Sequence, residues 1–417
     1  EVIVRVEEFE VPETSTMSSE SVVEEMKQHA NATQQPIVDY AESTDGVTLL
    51  NRYWLVNAVL LRVDTETVDA ESIVGQPGVT DVHSNFEVNA LSGGADGNGT
   101  VSTNADAEPP AGNHTYGLDQ LNVPEVWSEH GTQGAGAKVA VLDTGIDPNH
   151  PDLSLHSDDP GNETYPGGWA EFDDEGERVE GSTPHATSQH GTHVSGTVAG
   201  GDASGAHIGV APDAQLMHGL VIPGGSGSFA QIIAGMEWAV EEDADVIGMS
   251  LGAEGFYTAM IDPIRNAEDA GTIVVAASGN AGPETVSSPG NIHDALSIGA
   301  SGPNRQIARF SSGDVVQTER DWADAAPEDW PSAYVVPDVS APGVDTYSTL
   351  PGGEYGEKSG TSMATPHIVG VVALMESASG GEVTPAEIKA ALKETATKPA
   401  NAPPGQDTRY GHGIVDA

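Results

Sequence analysis

Apolar positions change their spacing several times along this chain. Val2, Val4 and Val6 recur at every second residue, the period of a strand. Val22, Val23 and Met26 then follow helical spacing within Ser21 to His29, with Ser18 or Ser19 as the cap. Tyr53 to Val63 reads as one strongly apolar strand. Thr65 to Val74 reads as a second helix, closed by Gly75 and Pro77-Gly78, and Val79 to Val88 as a further strand. Periodicity stops over residues 92–112, SGGADGNGTVSTNADAEPPAG, which predicts a linker. From about Asn113 to Ala417, short unbroken runs alternate with helical segments. Val139 to Leu142, Val246 to Ser250 and Ile273 to Ala277 predict strands; Glu237 to Val240 and Ile261 to Ala270 predict helices. Unbroken β-branched runs are expected where a sheet is covered on both faces. The pattern therefore predicts a small α+β domain over 1–91, the linker, and an α/β domain with a buried parallel sheet over 113–417.

Charge changes this picture more than any other bulk property. The chain carries 64 Asp and Glu against 15 Lys and Arg, a formal net charge of −49 over 417 residues. Nucleic acid is excluded as a partner, because phosphate contacts need Lys and Arg. The acids are interleaved with Val, Ile, Ala and Gly along the whole length, which does not fit a disordered acidic tail. A folded surface this acidic repels itself unless salt shortens the screening length, so the composition implies adaptation to high salt. Aromatic content of 5% agrees. There is no cysteine, so disulfides and thiolate chemistry are excluded. No apolar run is long enough to span a membrane. The chain begins at Glu1 without Met or an apolar leader, and an expected removed segment lies ahead of it.

Four segments carry chemistry. Ser362 stands in Gly360-Thr361-Ser362-Met363-Ala364-Thr365-Pro366-His367, just before the apolar run Ile368 to Met375, which predicts a buried helix. A serine at a helix start is either a cap or a nucleophile beside free backbone N–H groups. Asp143 follows the strand Val139 to Leu142, where open α/β sheets build their sites; the alternative is a turn aspartate. His190 and His193 lie in HGTHVSGTVAG. Their spacing suggests metal, but the glutamate of a helical zinc motif is absent. Asn280 closes Ala276-Ala277-Ser278-Gly279-Asn280 and is either a turn residue or an oxyanion donor. Together Asp143, His190, Asn280 and Ser362 form a full set for acyl transfer: an orienting carboxylate, a base, an oxyanion donor and a nucleophile.

The segments VLDTGID, HGTHVSGTVAG and GTSMATPH, in that order, resemble the signatures of the subtilisin-like serine proteases. IIAGMEWAV, DVIGMSLG, AASGNAG and SAPGVDTYSTLPGG extend the resemblance over roughly 113–417; with its acidity, the chain is similar to halolysin-type precursors of haloarchaea. The resemblance implies a mostly parallel central sheet flanked by helices. It implies that Asp143 orients, His190 is the base, Ser362 attacks, and Asn280 with the Ser362 N–H holds the oxyanion. Gly225, Ser226 and Gly227, with Ser250, Leu251 and Gly252, match the two edges that clamp an extended substrate. Ala277, Ser278 and Gly279 complete a small uncharged pocket suited to large apolar residues at the position before the cut. His193, Thr361, Met363 and His367 are read as structural.

The β-α-β-β-α-β order of residues 1–91 resembles the family's ferredoxin-like inhibitory propeptide, with Ser84 to Leu91 as a tail leading into the active site and Leu91 before the first cut. No cofactor is required for the chemistry. Asp152 matches a calcium-binding carboxylate, with Asp202 in the loop Gly200 to His207 as its partner, although Ala203 stands where the family has an oxygen-bearing side chain. The implied partners are polypeptides and the chain's own propeptide, and the implied protein is a secreted, extracellular monomer. Two acidic insertions are expected as surface loops: one between Asp143 and His190, the other near Asp314 to Ala333 with Trp322 and Trp330. Competing readings are a catalytically silent binding or inhibitor protein on the same fold, and a polyanionic cation buffer. A sedolisin-like acid protease needs a Glu and a second Asp in place of His190 and Asn280, and neither replacement is present.

Overall fold

The computed structural model describes residues 1–9, 11, 17–91 and 107–417. Its centre is a seven-stranded sheet in the order Val339–Pro342, Leu296–Ser301, Ile273–Ala277, Val246–Met249, Lys138–Asp143, Gln215–Leu220 and Trp169–Glu171. Every neighbouring pair is parallel. Successive side chains on a strand point to opposite faces, so an unbroken apolar strand serves two cores at once. Val139 and Val141 join Val194, Val198, Ile368 and Val372 on one face. Ala140 and Leu142 join Ile232, Ile233, Met236 and Ile264 on the other. Helices Gln189–Ala199 and Thr361–Ser379 thus cover the first face, and Phe229–Glu241 and Ile261–Asp269 the second. No helix among the described residues is long and apolar enough to cross a membrane.

Residues near the N-terminus form a four-stranded antiparallel sheet, in the order Val47–Tyr53, Ala58–Val63, Val2–Val6 and Val79–Ser84. One face buries Val4, Val6, Val59 and Leu61 against Ile37, Ala41 and Ile73 from its own helices. The opposite face brings Ile3, Ala58 and Leu60 into the core built by Phe229–Glu241 and Ile261–Asp269. This small sheet therefore sits on two helices of the large one. Polar contacts reinforce the seam. Buried Arg5 pairs with Asp262 and donates to Val56 O at 2.9 Å. Lys27 reaches Glu241 at 2.6 Å and Arg62 reaches Glu175 at 2.7 Å. The Leu55 N–H donates to the Glu237 carboxylate at 2.8 Å, and burial at this seam pushes Glu237 up to about 8.

Several local expectations change. Tyr53 to Val63 is not one strand. Tyr53 ends the strand Val47–Tyr53, the chain turns with Asn57 at φ 38°, and a new strand starts at Ala58. Leu55 and Val56 are apolar because this turn plugs into the second core, not because a strand passes there. Helix Gln35–Ser43 was not anticipated, and the helix expected over Thr65 to Val74 is confined to Ala70–Val74, capped by Asp69. The run Val79 to Val88 divides at Ser84. The insertions are not simply surface loops. The first supplies the edge strand Trp169–Glu171. The second buries Trp322 and Trp330 with ring centroids 5.6 Å apart, and Trp322 packs edge-on to Phe256. Of the expected linker, residues 92–106 lie outside the described residues.

Candidate active site

Asp143 is the last residue of the strand Lys138–Asp143 and is fully buried. Its Oδ1 accepts the Thr144 N–H at 2.7 Å. His190 sits in the first turn of helix Gln189–Ala199, capped by the Ser188 hydroxyl. The His190 Nδ1–H lies 2.8 Å from Asp143 Oδ1 and 3.0 Å from Oδ2. An imidazole held this way has its other nitrogen, Nε2, free to take a proton. Nε2 is buried and has no hydrogen-bond partner among the described residues.

Ser362 is not the cap of its helix. Gly360 takes that place, and Ser362 lies inside the first turn of Thr361–Ser379. Pro366 follows four residues later. Proline has no N–H to offer the carbonyl of residue i−4, so the Ser362 carbonyl lacks a helical donor. The Ser250 hydroxyl donates to it instead, at 2.9 Å. In return, the Ser362 hydroxyl lies 3.0 Å from Ser250 O. This exchange ties the start of the helix to the end of the strand Val246–Met249.

A second, four-stranded antiparallel sheet runs past these residues, in the order Ser287–Ser288, Leu251–Glu254, Glu87–Ala90 and Ser226–Ser228. Glu87–Ala90 comes from the N-terminal region and fills the slot between Leu251–Glu254 and Ser226–Ser228. Ala90 pairs with Leu251 and Asn89 with Gly252 on one side. Asn89 pairs with Ser226 and Val88 with Gly227 on the other. Phe86 anchors the entry, its ring 4.7 Å from Tyr257 and 5.0 Å from Phe229. The segment ends on Leu91, whose N–H donates to Ser250 O at 3.2 Å.

Leu91 O receives the Asn280 side-chain amide at 2.6 Å and the Ser362 hydroxyl at 2.5 Å. Asn280 is held for this task from behind. Its Oδ1 accepts the Thr361 N–H at 2.9 Å and the Thr361 hydroxyl at 3.0 Å, which leaves the amide N–H groups facing Leu91. Gly252 makes room for the Leu91 side chain. A Cβ there would stand 3.1 Å from Leu91 Cδ1 and 2.8 Å from Ser288 O.

The residues expected at the site thus divide. Asp143 and His190 touch each other, and Asn280 and Ser362 meet at the Leu91 carbonyl. Ser226, Gly227, Ser250, Leu251 and Gly252 line the extended segment. Gly225 precedes the ladder as a turn residue at φ 104°. Ala277 ends the buried strand Ile273–Ala277, and Gly279, at φ 115°, would drive a Cβ to 2.6 Å from Ser287 Oγ. The Ser278 hydroxyl turns away to Ser312 O at 3.2 Å. Ser288, which backs Gly252, was missed because nothing in its local pattern marks a pocket wall.

Asp152 and Asp202 have different partners. Asp152 Oδ1 accepts the Ala203 N–H at 2.6 Å, and its Oδ2 accepts the Tyr355 hydroxyl at 2.7 Å. Asp202 Oδ2 stands 3.8 Å from His207 Nε2. Among the described residues, no three His, Cys, Asp or Glu side chains come together as a metal-holding group.

Residues 134–413 match the profile of the Subtilase family. Subtilisin NAT of Bacillus subtilis subsp. natto is 37% identical over 306 residues, covering 72% of this chain and 69% of its own length. Subtilisin of Bacillus pumilus is likewise 37% identical, covering 72% of this chain and 96% of its own length. M-protease of Shouchella clausii is 32% identical over 381 residues, or 91% of this chain and 86% of its own length. With a match over well more than half its length, the chain belongs to the subtilase family of serine proteases.

Proposed function

We propose that this chain is the self-processing precursor of a serine endopeptidase, of the secreted halolysin type, working as a monomer on polypeptides in high salt. In this reading residues 1–91 are a ferredoxin-like inhibitory propeptide, 92–112 a linker and 113–417 the catalytic domain. The observation that carries it is the Leu91 carbonyl, engaged by both Ser362 Oγ and Asn280 Nδ2. That carbonyl belongs to the Leu91–Ser92 peptide bond.

The Ser362 hydroxyl turns its proton from Leu91 O to the unpartnered His190 Nε2, which accepts it as Ser362 Oγ attacks the Leu91 carbonyl carbon. Asp143 steadies the imidazolium through Nδ1. Negative charge gathers on Leu91 O, where the Asn280 amide and the Ser362 N–H hold it. Collapse breaks the C–N bond, and His190 returns the proton to the leaving amine of Ser92. Water, activated by His190, then releases the acyl group from Ser362. Later substrates bind as Glu87–Ala90 does, by strand addition, which reads main chain over most of its length and places one apolar side chain beside Gly252. Stoichiometric labelling of Ser362 by a serine-directed phosphonate is expected, with mature protein starting at Ser92 or further inside 92–112. An unlabelled Ser362, or a mature start upstream of Phe86, sinks the reading.

A structural Ca2+ held by Asp152 and Asp202, outside the chemistry, belongs to the same reading. Asp152 already accepts the Ala203 N–H on Oδ1 and the Tyr355 hydroxyl on Oδ2, and its remaining lone pairs would face the ion. A ligand at a hundredfold excess over its Kd stabilises by about 2.7 kcal/mol. The expected result is a Tm several degrees higher with Ca2+ in the wild type and unchanged in Asp152→Asn. Equal responses refute the site.

A further inference from the structure

A second histidine stands behind the Asp143–His190 pair. His218 lies on the strand Gln215–Leu220, next to the Asp143 strand, with Val141 as its register partner. Residues paired in register on parallel strands share a face, and Asp143 is two positions beyond Val141. His218 and Asp143 therefore point to the same side, toward helix Gln189–Ala199. The ring is fully buried, with Trp169 stacked at 6.1 Å on one side. Its closeness to the pair is visible at Gly191. A Cβ on that glycine would meet His218 Cε1 at 3.0 Å and Asp143 Oδ1 at 3.1 Å together.

Both ring nitrogens are used. The Gly145 N–H donates to His218 Nε2 at 3.1 Å. A backbone N–H only donates, so Nε2 is bare and the proton of the neutral ring sits on Nδ1. That Nδ1–H faces the Ser195 hydroxyl at 3.0 Å. Gly145 closes the turn that follows Asp143, and Ser195 lies on the helix that carries His190. The same turn is joined to the helix start through Thr144 Oγ1, which accepts the Gly191 N–H at 2.8 Å. Hence the imidazole of His218 bridges the turn holding the carboxylate and the helix holding the base.

We propose that His218 is a positioning residue for this protease: as a neutral bridge between Gly145 and Ser195, it sets the Asp143–His190 contact. Burial holds its pKa down at about 4, against the pull of Asp143 and with the help of His190. The ring stays neutral near neutral pH and does not compete with His190 for the carboxylate.

The inference rests on the proposed roles of Asp143 and His190. His218→Phe keeps a ring but strands the Gly145 N–H and the Ser195 hydroxyl. A misplacement on the order of 1 Å costs about a hundredfold in rate. The expected result is a kcat 10- to 100-fold lower (on the order of that principle) with KM little changed. The acid limb of kcat/KM should also move to lower pH, because a looser Asp143 contact stabilises the imidazolium less. His218→Gln, whose amide oxygen can reach the Nε2 position, should recover most of the kcat. If His218→Phe does not fold, His218→Asn carries the same test, since it lacks the acceptor for Gly145. A folded variant without that acceptor, with wild-type kcat and acid limb, overturns the inference. A wild type that is itself inactive and unlabelled at Ser362 overturns the proposed function instead.

Discussion

Ser362→Ala should leave the full chain uncut and lower peptide hydrolysis by about six orders of magnitude, the loss typical when the nucleophile of such a serine protease is removed. The two effects share one cause. The hydroxyl that would attack a substrate is the one already at the Leu91 carbonyl, 2.5 Å from its oxygen. Binding should survive, because the Leu91 N–H and the strand Glu87–Ala90 are held by Ser250 O, Leu251–Glu254 and Ser226–Ser228, not by the hydroxyl. The variant is therefore expected to purify with residues 1–91 still attached. Asn280→Ala makes the graded counterpart. Removing one oxyanion donor costs about 3 kcal/mol, or 10²- to 10³-fold in kcat. Its processing should be slow but complete. Casein hydrolysis and gel analysis over time check both. Self-cleavage of Ser362→Ala at the wild-type rate would falsify the assigned nucleophile.

Withdrawal of salt should unfold the protein and abolish activity, both returning on re-addition. The cause is the net charge of −49. Screening lengths are about 10 Å at 0.1 M salt and about 3 Å at 1 M, so neighbouring surface carboxylates repel each other in the first case and hardly in the second. Internal compensation is limited by supply. Residues 1–91 contain only Arg5, Lys27, Arg52 and Arg62 as Lys or Arg, and three of them are paired across the seam with Asp262, Glu241 and Glu175. Circular dichroism and casein hydrolysis along a KCl series are the measurements. Full activity with an unchanged spectrum in dilute buffer would refute the salt requirement.

The strands Lys138–Asp143, Val246–Met249 and Ile273–Ala277 were legible because a strand covered on both faces must be apolar without interruption. Asp143, His190 and Ser362 drew notice because each stands at the end or the start of a strand or helix, and Asn280 because it closes a run of small residues. The hairpin around Leu55, by contrast, was hidden. Its apolar turn answers to helices nearly two hundred residues away, and local periodicity carries no sign of that. Trp322 and Trp330 misled for the same reason: their acidic neighbours marked a surface, while the rings pack inward on Phe256 and on each other.

By itself, then, the sequence determined the family and the residue types that the proposed chemistry needs, since nucleophile, base and carboxylate are properties of side chains. Only the tertiary structure decided what they lie against and what holds them. Leu91 meets Ser362 across 271 positions of chain, and His218 reaches the turn after Asp143 from a neighbouring strand. Such contacts are set by strand order and register, which no local pattern encodes.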